Sequence, residues 1–427
     1  MKFVSSRNRQ RLFSLKEAVF KGLAPDGGLF MPAEYPVLYD GNSIDSASAG
    51  FAGLAFQLAK PYLEEDLDDD NIRKIITASF DFDIPLRKIK DNIYVLELFH
   101  GPTLAFKDIG ARFMARLMTG LNSDEEDITI LVATSGDTGG AVANGFHGLK
   151  NTKVVVLYPR GRVSKFQEKQ FASLDGNIHS LAVEGSFDDC QRLVKEAFMD
   201  DELRKKLRLT SANSINIGRW LPQSFYYTWG LLKWMEEERG LTPAVSVPGG
   251  NYGNLAAAML AHKSGMPLSD LIAASNRGNN VVPLYLRTGI FRAQKTVHTI
   301  TNAMDVGNPS NFERIEYMGG SYNNITKIIR AYEFDDREIL DCIERVFNET
   351  GYILDPHSAT GYMALEQSGL QGYFTATAHP VKFLDVLPAA VRKMVRLPAH
   401  FKESGAESSS LNIPASYKVL RDYLLKR

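Results

Sequence analysis

From residue 93 onward, short apolar and β-branched runs alternate with longer segments whose apolar positions recur at helical spacing. The runs at 93–98, 128–134, 153–158, 178–183, 244–247, 271–275 and 373–377 predict strands. Between and beyond them the pattern predicts helices over 108–117, 139–146, 166–174, 187–199, 223–238, 254–263, 337–348 and 359–367. Strands alternating with helices predict an α/β fold, mostly parallel sheets with helices on both faces.

The first 92 residues have a different texture. Pro25, Gly27, Gly28, Pro32 and Pro36 punctuate a loop-rich start, and a helix is predicted near 46–58. The acidic run at 64–70 precedes Ile72, Ile75 and Ile76. Acids at a helix start complement its dipole, so this run reads as a helix N-terminus rather than a metal site. At the other end, 401–410 reads as a polar loop, and 415–425 as an amphipathic helix packed back on the body. These shifts predict two main domains plus an N-terminal segment. The segments are a helical, loop-rich domain at 1–92, an α/β region at 93–240, and a second α/β domain at 241–427.

Composition narrows the function. The 427 residues carry 49 basic and 50 acidic side chains, a net charge of −1. A protein working on nucleic acid or an anionic membrane needs a basic surplus, so neither partner is expected. The two cysteines, Cys190 and Cys342, exclude a disulfide scaffold and a cysteine-rich zinc site. No apolar run approaches the ~18 residues of a membrane span, and the start lacks the apolar stretch of a secretion signal. That start is arginine-rich and free of acids until Glu17, a trace of transit-peptide composition. A reducing, cytoplasmic setting is expected.

Ligands of parallel sheets sit at the turns from strand to helix. Two such turns are glycine-rich. One runs through Thr134, Ser135, Gly136, Asp137 and Thr138; the other through Gly249, Gly250, Asn251, Tyr252, Gly253 and Asn254. Free backbone amides and the dipole of the following helix favour an anion there. Neither turn fits a nucleotide-binding pattern such as G-x-G-x-x-G or a P-loop. A third feature is Lys107, at a helix start after Gly101, Pro102, Thr103, Leu104, Ala105 and Phe106. Partial burial would favour its neutral amine, the form that adds to carbonyls. Alone it would read as a surface lysine; beside two anion loops it suits a phosphorylated aldehyde cofactor, pyridoxal phosphate.

These residues carry a resemblance. The string FHGPTLAFKD at 99–108 is its most specific part. The segments 133–139, 157–161, 211–216, 245–253, 301–306 and 377–380 follow in the matching order. Together they resemble the threonine synthases of the longer bacterial and fungal type, within the tryptophan-synthase-β-like pyridoxal-phosphate enzymes of fold type II. The resemblance implies that Lys107 holds the cofactor covalently and acts as the general base. It implies that Gly250, Asn251, Tyr252, Gly253 and Asn254 cradle the cofactor phosphate, and that Thr377 faces the pyridine nitrogen. It implies that Thr134, Ser135, Gly136, Asp137 and Thr138 hold the substrate α-carboxylate. The implied reaction is a γ-elimination and β-addition that turns O-phospho-L-homoserine and water into L-threonine and phosphate.

For the substrate phosphate, Arg160 with Asn213 and Ser214 is the expected clamp, against a reading of Arg160 and nearby Lys165 as a solvated face and of 213–216 as a capping turn. His100 and His379 flank the expected site without an assigned role. No metal is expected, since the histidines lack ligand spacing. Two alternatives stand beside the main reading. One is a phospholyase that makes 2-oxobutyrate from the same substrate; the other is a non-catalytic cofactor-binding protein. The oligomeric state is left open as monomer or homodimer.

Overall fold

The structure, a computed structural model, describes residues 1–39, 50–399, 401 and 408–426. Among them are thirteen strands. In chain order they are β1 (Phe3–Ser5), β2 (Phe30–Pro32), β3 (Leu86–Lys90), β4 (Ile93–Glu97), β5 (Ile128–Ala133), β6 (Thr152–Pro159) and β7 (Ile178–Glu184). They continue with β8 (Arg208–Ser211), β9 (Ala244–Pro248), β10 (Leu271–Asn276), β11 (Ile329–Phe334), β12 (Gly372–Ala376) and β13 (Leu411–Pro414). Strands β1 and β2 pair antiparallel. The others form a six-stranded sheet, β11-β10-β9-β12-β4-β3, and a five-stranded sheet, β13-β7-β6-β5-β8. All neighbours are parallel except β3 and β4.

Sheet membership crosses the order of the chain. β4 comes from the 93–240 stretch, yet it pairs with β12 near the C-terminus. β13 follows β12 in sequence, yet it pairs with β7 of the other sheet. After it, the helix Tyr417–Leu425 buries Leu420 and Leu424 beside Leu193 of the helix Phe187–Met199, so the amphipathic C-terminal segment packs back as expected. The part of the expected 401–410 loop at 402–407, and positions 46–49 of the expected 46–58 helix, lie outside the described residues.

The core forms on both faces of both sheets. Along β5, Ile130 and Val132 point into one apolar cluster while Leu131 and Ala133 point into another. Every residue of β5 is therefore buried, which is why its sequence reads as an unbroken apolar run rather than an alternation. The N-terminal segment joins the largest cluster through Phe3, Phe30, Leu54, Tyr62 and Ile75. Asp68 caps the helix Asp69–Ser79 by accepting from the Asn71 amide at 2.8 Å, and Lys60 pairs with Asp69 at 2.8 Å. The acidic run thus serves a helix start, as its position predicted. Cys190 and Cys342 are buried free thiols, both pushed up to about 12 by burial, so they are poor nucleophiles.

Candidate active site

The expected site residues sit at the carboxyl ends of parallel strands. β4 leads to Lys107, β5 to Thr134–Thr138, β8 to Asn213 and Ser214, β9 to the 249–254 turn, and β12 to Thr377. The turns after β4 and β12 are stitched to each other. The Phe106 amide donates to the Thr377 carbonyl at 2.8 Å, and the His379 amide to the Leu104 carbonyl at 3.0 Å. Leu104 adopts a left-handed backbone, φ 58°, and this turns the chain into the helix Lys107–Leu121. Buried Asp108 locks the same turn, accepting from the Thr103 amide at 2.8 Å and its hydroxyl at 2.6 Å. Lys107 and Thr377 therefore reach one place from opposite ends of the sequence.

Lys107 stands at the first position of its helix with 18% of its side chain exposed. Its Nζ lies 3.7 Å from Oδ2 of Asp137. Burial pushes the amine below its ordinary range; Asp137 opposes this, while the charges of Lys382 and Arg219 add to it. Asp137 is buried at the N-terminus of the helix Asp137–Phe146. Its other oxygen accepts from Lys382 Nζ at 2.7 Å and Gln167 Nε2 at 2.9 Å. Burial works to raise this carboxyl, but the charges of Lys382 and Lys107 outweigh it and hold the group ionised.

The loop before that helix is held by its own side chains. Thr134 Oγ1 accepts from the amides of Gly136 at 2.9 Å and Gly139 at 2.8 Å. Gly136 has φ 145°, a region that side chains avoid, and a Cβ there would stand 2.5 Å from the Gln167 carboxamide. Ser135 is exposed and Thr138 half-buried, while Asp137 is buried.

The second glycine turn has the geometry an anion cradle requires. The Gly249 amide donates to the Ala274 carbonyl at 2.6 Å, tying the turn to β10. A Cβ at Gly250 would meet the Ala303 carbonyl at 2.6 Å, so only glycine fits there. Tyr252 takes a left-handed backbone, φ 55°, anchored by its hydroxyl at 2.5 Å from Ser275 Oγ. The first amides of the helix Gly253–Lys263 then point out with no intrahelical acceptor. Asn254 is buried, and its Oδ1 accepts from the hydroxyls of Tyr226 and Tyr227. That fixes the amide with Nδ2 turned away, and Nδ2 has no partner among the described residues. A buried, oriented donor beside free helix-start amides is what a phosphate needs, so the cradle fits pyridoxal phosphate. Thr377, buried beside the Lys107 turn, offers a neutral hydroxyl to a pyridine nitrogen.

Asn251 bridges to the third loop: its Nδ2 donates to Ser214 Oγ at 2.7 Å. Asn213 Oδ1 is buried without a partner among the described residues. Arg160 does not join them. It is exposed and pairs with Glu184 at 3.2 Å. Lys165 is exposed as well. Two basic residues that sequence reasoning passed over are nearer the centre. Arg219 is 3% exposed, donates to the Ala212 carbonyl at 2.6 Å and leaves Nε without a partner among the described residues; burial brings it down to about 10. Lys382 is buried against Asp137. A signal existed for Arg219, which follows Asn213 and Ser214 by six and five residues; for Lys382 there was none beyond its closeness to Thr377.

His100 Nε2 lies 2.8 Å from Glu97, which also binds Arg87 and Tyr352. His379 Nδ1 accepts from the Val381 amide at 3.2 Å. Both serve turns that carry the site. His357, in the Asp355–His357 pair, accepts from the Ala303 amide at 3.2 Å and so supports the wall of the Gly250 turn. Among the described residues no cluster of metal-ligating side chains occurs, and no helix is long and apolar enough to cross a membrane.

Comparison with known proteins agrees with this geometry. Residues 82–379 match the model of the pyridoxal-phosphate dependent enzyme family. Fold and site together define a pyridoxal-phosphate enzyme of fold type II, a class of lyases among others. Residues 2–80 match the threonine synthase N terminus. The chain is 40% identical to the threonine synthase of Serratia marcescens, covering 100% of this chain and 99% of that one. It superposes on the crystal structure of Escherichia coli threonine synthase with a TM-score of 0.90, 38% identity and full coverage of both chains. With the PLP-bound threonine synthase of Brucella melitensis the TM-score is 0.92, at 32% identity over 99% of this chain and 98% of that one. This chain belongs to the threonine synthase family. Full-length likeness to threonine synthases favours the synthase over the phospholyase and the non-catalytic alternatives.

Proposed function

We propose that this chain converts O-phospho-L-homoserine and water into L-threonine and phosphate, working in the cytoplasm as a monomer or homodimer. The observation that carries the assignment of roles is the meeting of Lys107, the 249–254 cradle and Thr377 at the carboxyl ends of β4, β9 and β12. Lys107 would hold the cofactor covalently. The amides of Gly250, Asn251, Tyr252, Gly253 and Asn254, with Asn254 Nδ2, would bind its phosphate. Each such bond to a charged group is worth about 1.5–3 kcal/mol, enough in sum to anchor it without a dedicated cation. Thr377 would hydrogen-bond the ring nitrogen without protonating it. Bound pyridoxal phosphate supplies the electron sink for charge that develops at the substrate carbons.

The remaining roles fall to side chains of this chain. The Lys107 amine would take the proton from Cα and serve as the proton shuttle at Cβ. Burial favours its neutral, proton-accepting form. The helix-start amides of Asp137 and Thr138, with the hydroxyls of Ser135 and Thr138, would hold the α-carboxylate, and Thr134 shapes that loop by taking the Gly136 and Gly139 amides. The Asp137 carboxylate, committed to Lys382 and Gln167, would face Lys107 instead of the substrate. Asn213, Ser214 and Arg219 would clamp the phosphate that leaves Cγ. A buried guanidinium with an unpartnered N–H suits an anion better than Arg160, which would first have to leave Glu184.

Product analysis tests the reading. Purified protein with pyridoxal phosphate is given O-phospho-L-homoserine, and free phosphate, threonine and 2-oxobutyrate are measured. Threonine equal to phosphate is expected. Phosphate with 2-oxobutyrate and no threonine would make the chain a phospholyase. No phosphate at all would overturn the substrate.

A further inference from the structure

The site contains a second buried lysine. Lys382 has no exposed side-chain surface, and its ammonium meets three acceptors: Asp137 Oδ1 at 2.7 Å, the Thr103 carbonyl at 2.7 Å and Gln170 Oε1 at 3.1 Å. An ammonium has three protons to give, so all are spent. The acceptors come from separate parts of the fold. Asp137 and Gln170 belong to helices that follow β5 and β6 of the five-stranded sheet. Lys382 lies in the short turn Pro380–Phe383 after β12 of the six-stranded sheet, and Thr103 lies in the turn that delivers Lys107. The network therefore closes around Lys107 from both sheets.

A buried ion pair seldom adds net stability, so its position calls for another account. Asp137 divides its two oxygens. Oδ1 takes Lys382 and Gln167; Oδ2 alone turns to Lys107, at 3.7 Å, longer than a direct hydrogen bond. Without Lys382, Asp137 would keep one buried cation, Lys107, and only the neutral Gln167 amide to hold it back from a close pair. A close pair would keep the amine protonated and useless as a base. We propose that Lys382 is a positioning residue for the reaction: it holds the Asp137 carboxylate so that this group orients Lys107 without capturing it as an ammonium. The inference rests on Lys107 being the reacting amine. The charged groups that face Lys107 are Asp137, Lys382 and Arg219; Asp108, next to it in sequence, is occupied by Thr103. Loss of Lys382 removes a repulsion from Lys107 and frees its one attracting partner, so both effects push the same way.

The test uses Lys382→Met, Asp137→Asn and the double variant in the full chain. Two readouts are taken: the pH profile of kcat for the cofactor-loaded enzyme, and, on the same full chain with the cofactor removed, the pH dependence of Lys107 acetylation by acetic anhydride, read by peptide mass spectrometry. A neighbouring opposite charge moves a titration by about one unit or more. For Lys382→Met the acid limb of kcat and the labelling curve are expected to move up by about one pH unit, with kcat at neutral pH down about tenfold and KM within about twofold. For Asp137→Asn both curves should move down, because Lys107 loses its attracting partner and keeps the repulsion of Lys382. The double variant should return toward wild type. A folded Lys382→Met protein whose curves stay at the wild-type pH would overturn the proposal, leaving Lys382 a structural ion pair. If Lys382→Met does not fold, unmoved curves in Asp137→Asn would overturn it equally. Borohydride reduction of the loaded wild-type enzyme and peptide mapping separate the two readings. Cofactor fixed on Lys107 upholds the underlying assignment whatever the curves show; cofactor fixed on Lys382 overturns that assignment.

Discussion

Asn251 donates a 2.7 Å hydrogen bond to Ser214, joining the glycine turn after β9 to the polar loop after β8. Ser214 Oγ also accepts from Asn311 at 3.3 Å, and the Ser214 carbonyl accepts from buried Arg314 at 3.3 Å. The loop proposed for the substrate phosphate is thereby fastened to the loop proposed for the cofactor phosphate. Ser214→Ala removes an acceptor worth about 1 kcal/mol. It is expected to weaken both pyridoxal phosphate and O-phospho-L-homoserine, each about fivefold, as read by cofactor titration and by KM. An effect on substrate alone would mean that the two loops act independently.

Lys107→Ala removes the proposed anchor and base together. Turnover should fall by at least about a thousandfold, since general base catalysis alone contributes 10²–10⁴-fold. The visible absorption of the covalently held cofactor should disappear with it. Retained activity at wild-type level would remove Lys107 from the reaction.

Gly250→Ala sets a methyl group 2.6 Å from the Ala303 carbonyl, a contact that only backbone movement relieves. Overpacking of this kind costs about 1–3 kcal/mol. Because the strain falls on the cradle, the cofactor dissociation constant should rise about fivefold to a hundredfold. Fluorescence titration measures it, and a wild-type constant would sever the turn from cofactor binding.

Arg160 and Arg219 should behave differently. Arg160→Ala breaks only an exposed pair with Glu184, a class of contact worth at most about 1 kcal/mol. Steady-state constants should stay within about twofold. Arg219→Lys keeps the charge but loses the planar fork, and KM for O-phospho-L-homoserine should rise about tenfold or more. A large effect at Arg160 with none at Arg219 would return the phosphate to the exposed site.

Asp200 ties the C-terminal helix to the body. It accepts from Tyr417 at 2.6 Å and Arg421 at 2.8 Å. The Tyr417 hydroxyl, with the Leu203 amide and Arg421, holds this carboxyl down to about 2, against an ordinary 3.8. A depressed carboxyl stabilises the fold above its unfolded value and loses that contribution as pH falls through its folded value. Thermal scans should therefore show Asp200→Asn less stable than wild type at neutral pH. The gap should narrow from pH 3.8 down toward 2. A gap that does not change with pH would show that the ionised form is not what matters.

The local pattern made much of this fold legible. The seven strands predicted from apolar runs are β4, β5, β6, β7, β9, β10 and β12, and these are the interior strands of the two sheets. The strands it missed in those sheets, β3, β8, β11 and β13, are all edges. An interior strand is covered on both faces and must be apolar throughout, while an edge strand carries charge to water. β3 shows this with Arg87, Lys88 and Lys90 in five residues. The glycine turns and Lys107 were legible for a related reason. A close backbone approach requires glycine, and a helix start after a buried strand is a local feature.

The sequence by itself thus determined the interior strands, the order of strand and helix, the two glycine turns and the lysine ahead of them. Each of these follows from neighbours within a few residues. Tertiary structure alone decided which sheet β4 and β13 would join, since any parallel partner satisfies their backbone bonds. It also decided the fate of the basic residues. Arg160 ended in solvent with Glu184, whereas Arg219 and Lys382 were taken inside. The energy of a charge depends on the dielectric and the partners around it, and segments far apart in the chain supply both. Lys382 reads as an ordinary surface lysine until Asp137, 245 residues earlier, is folded against it.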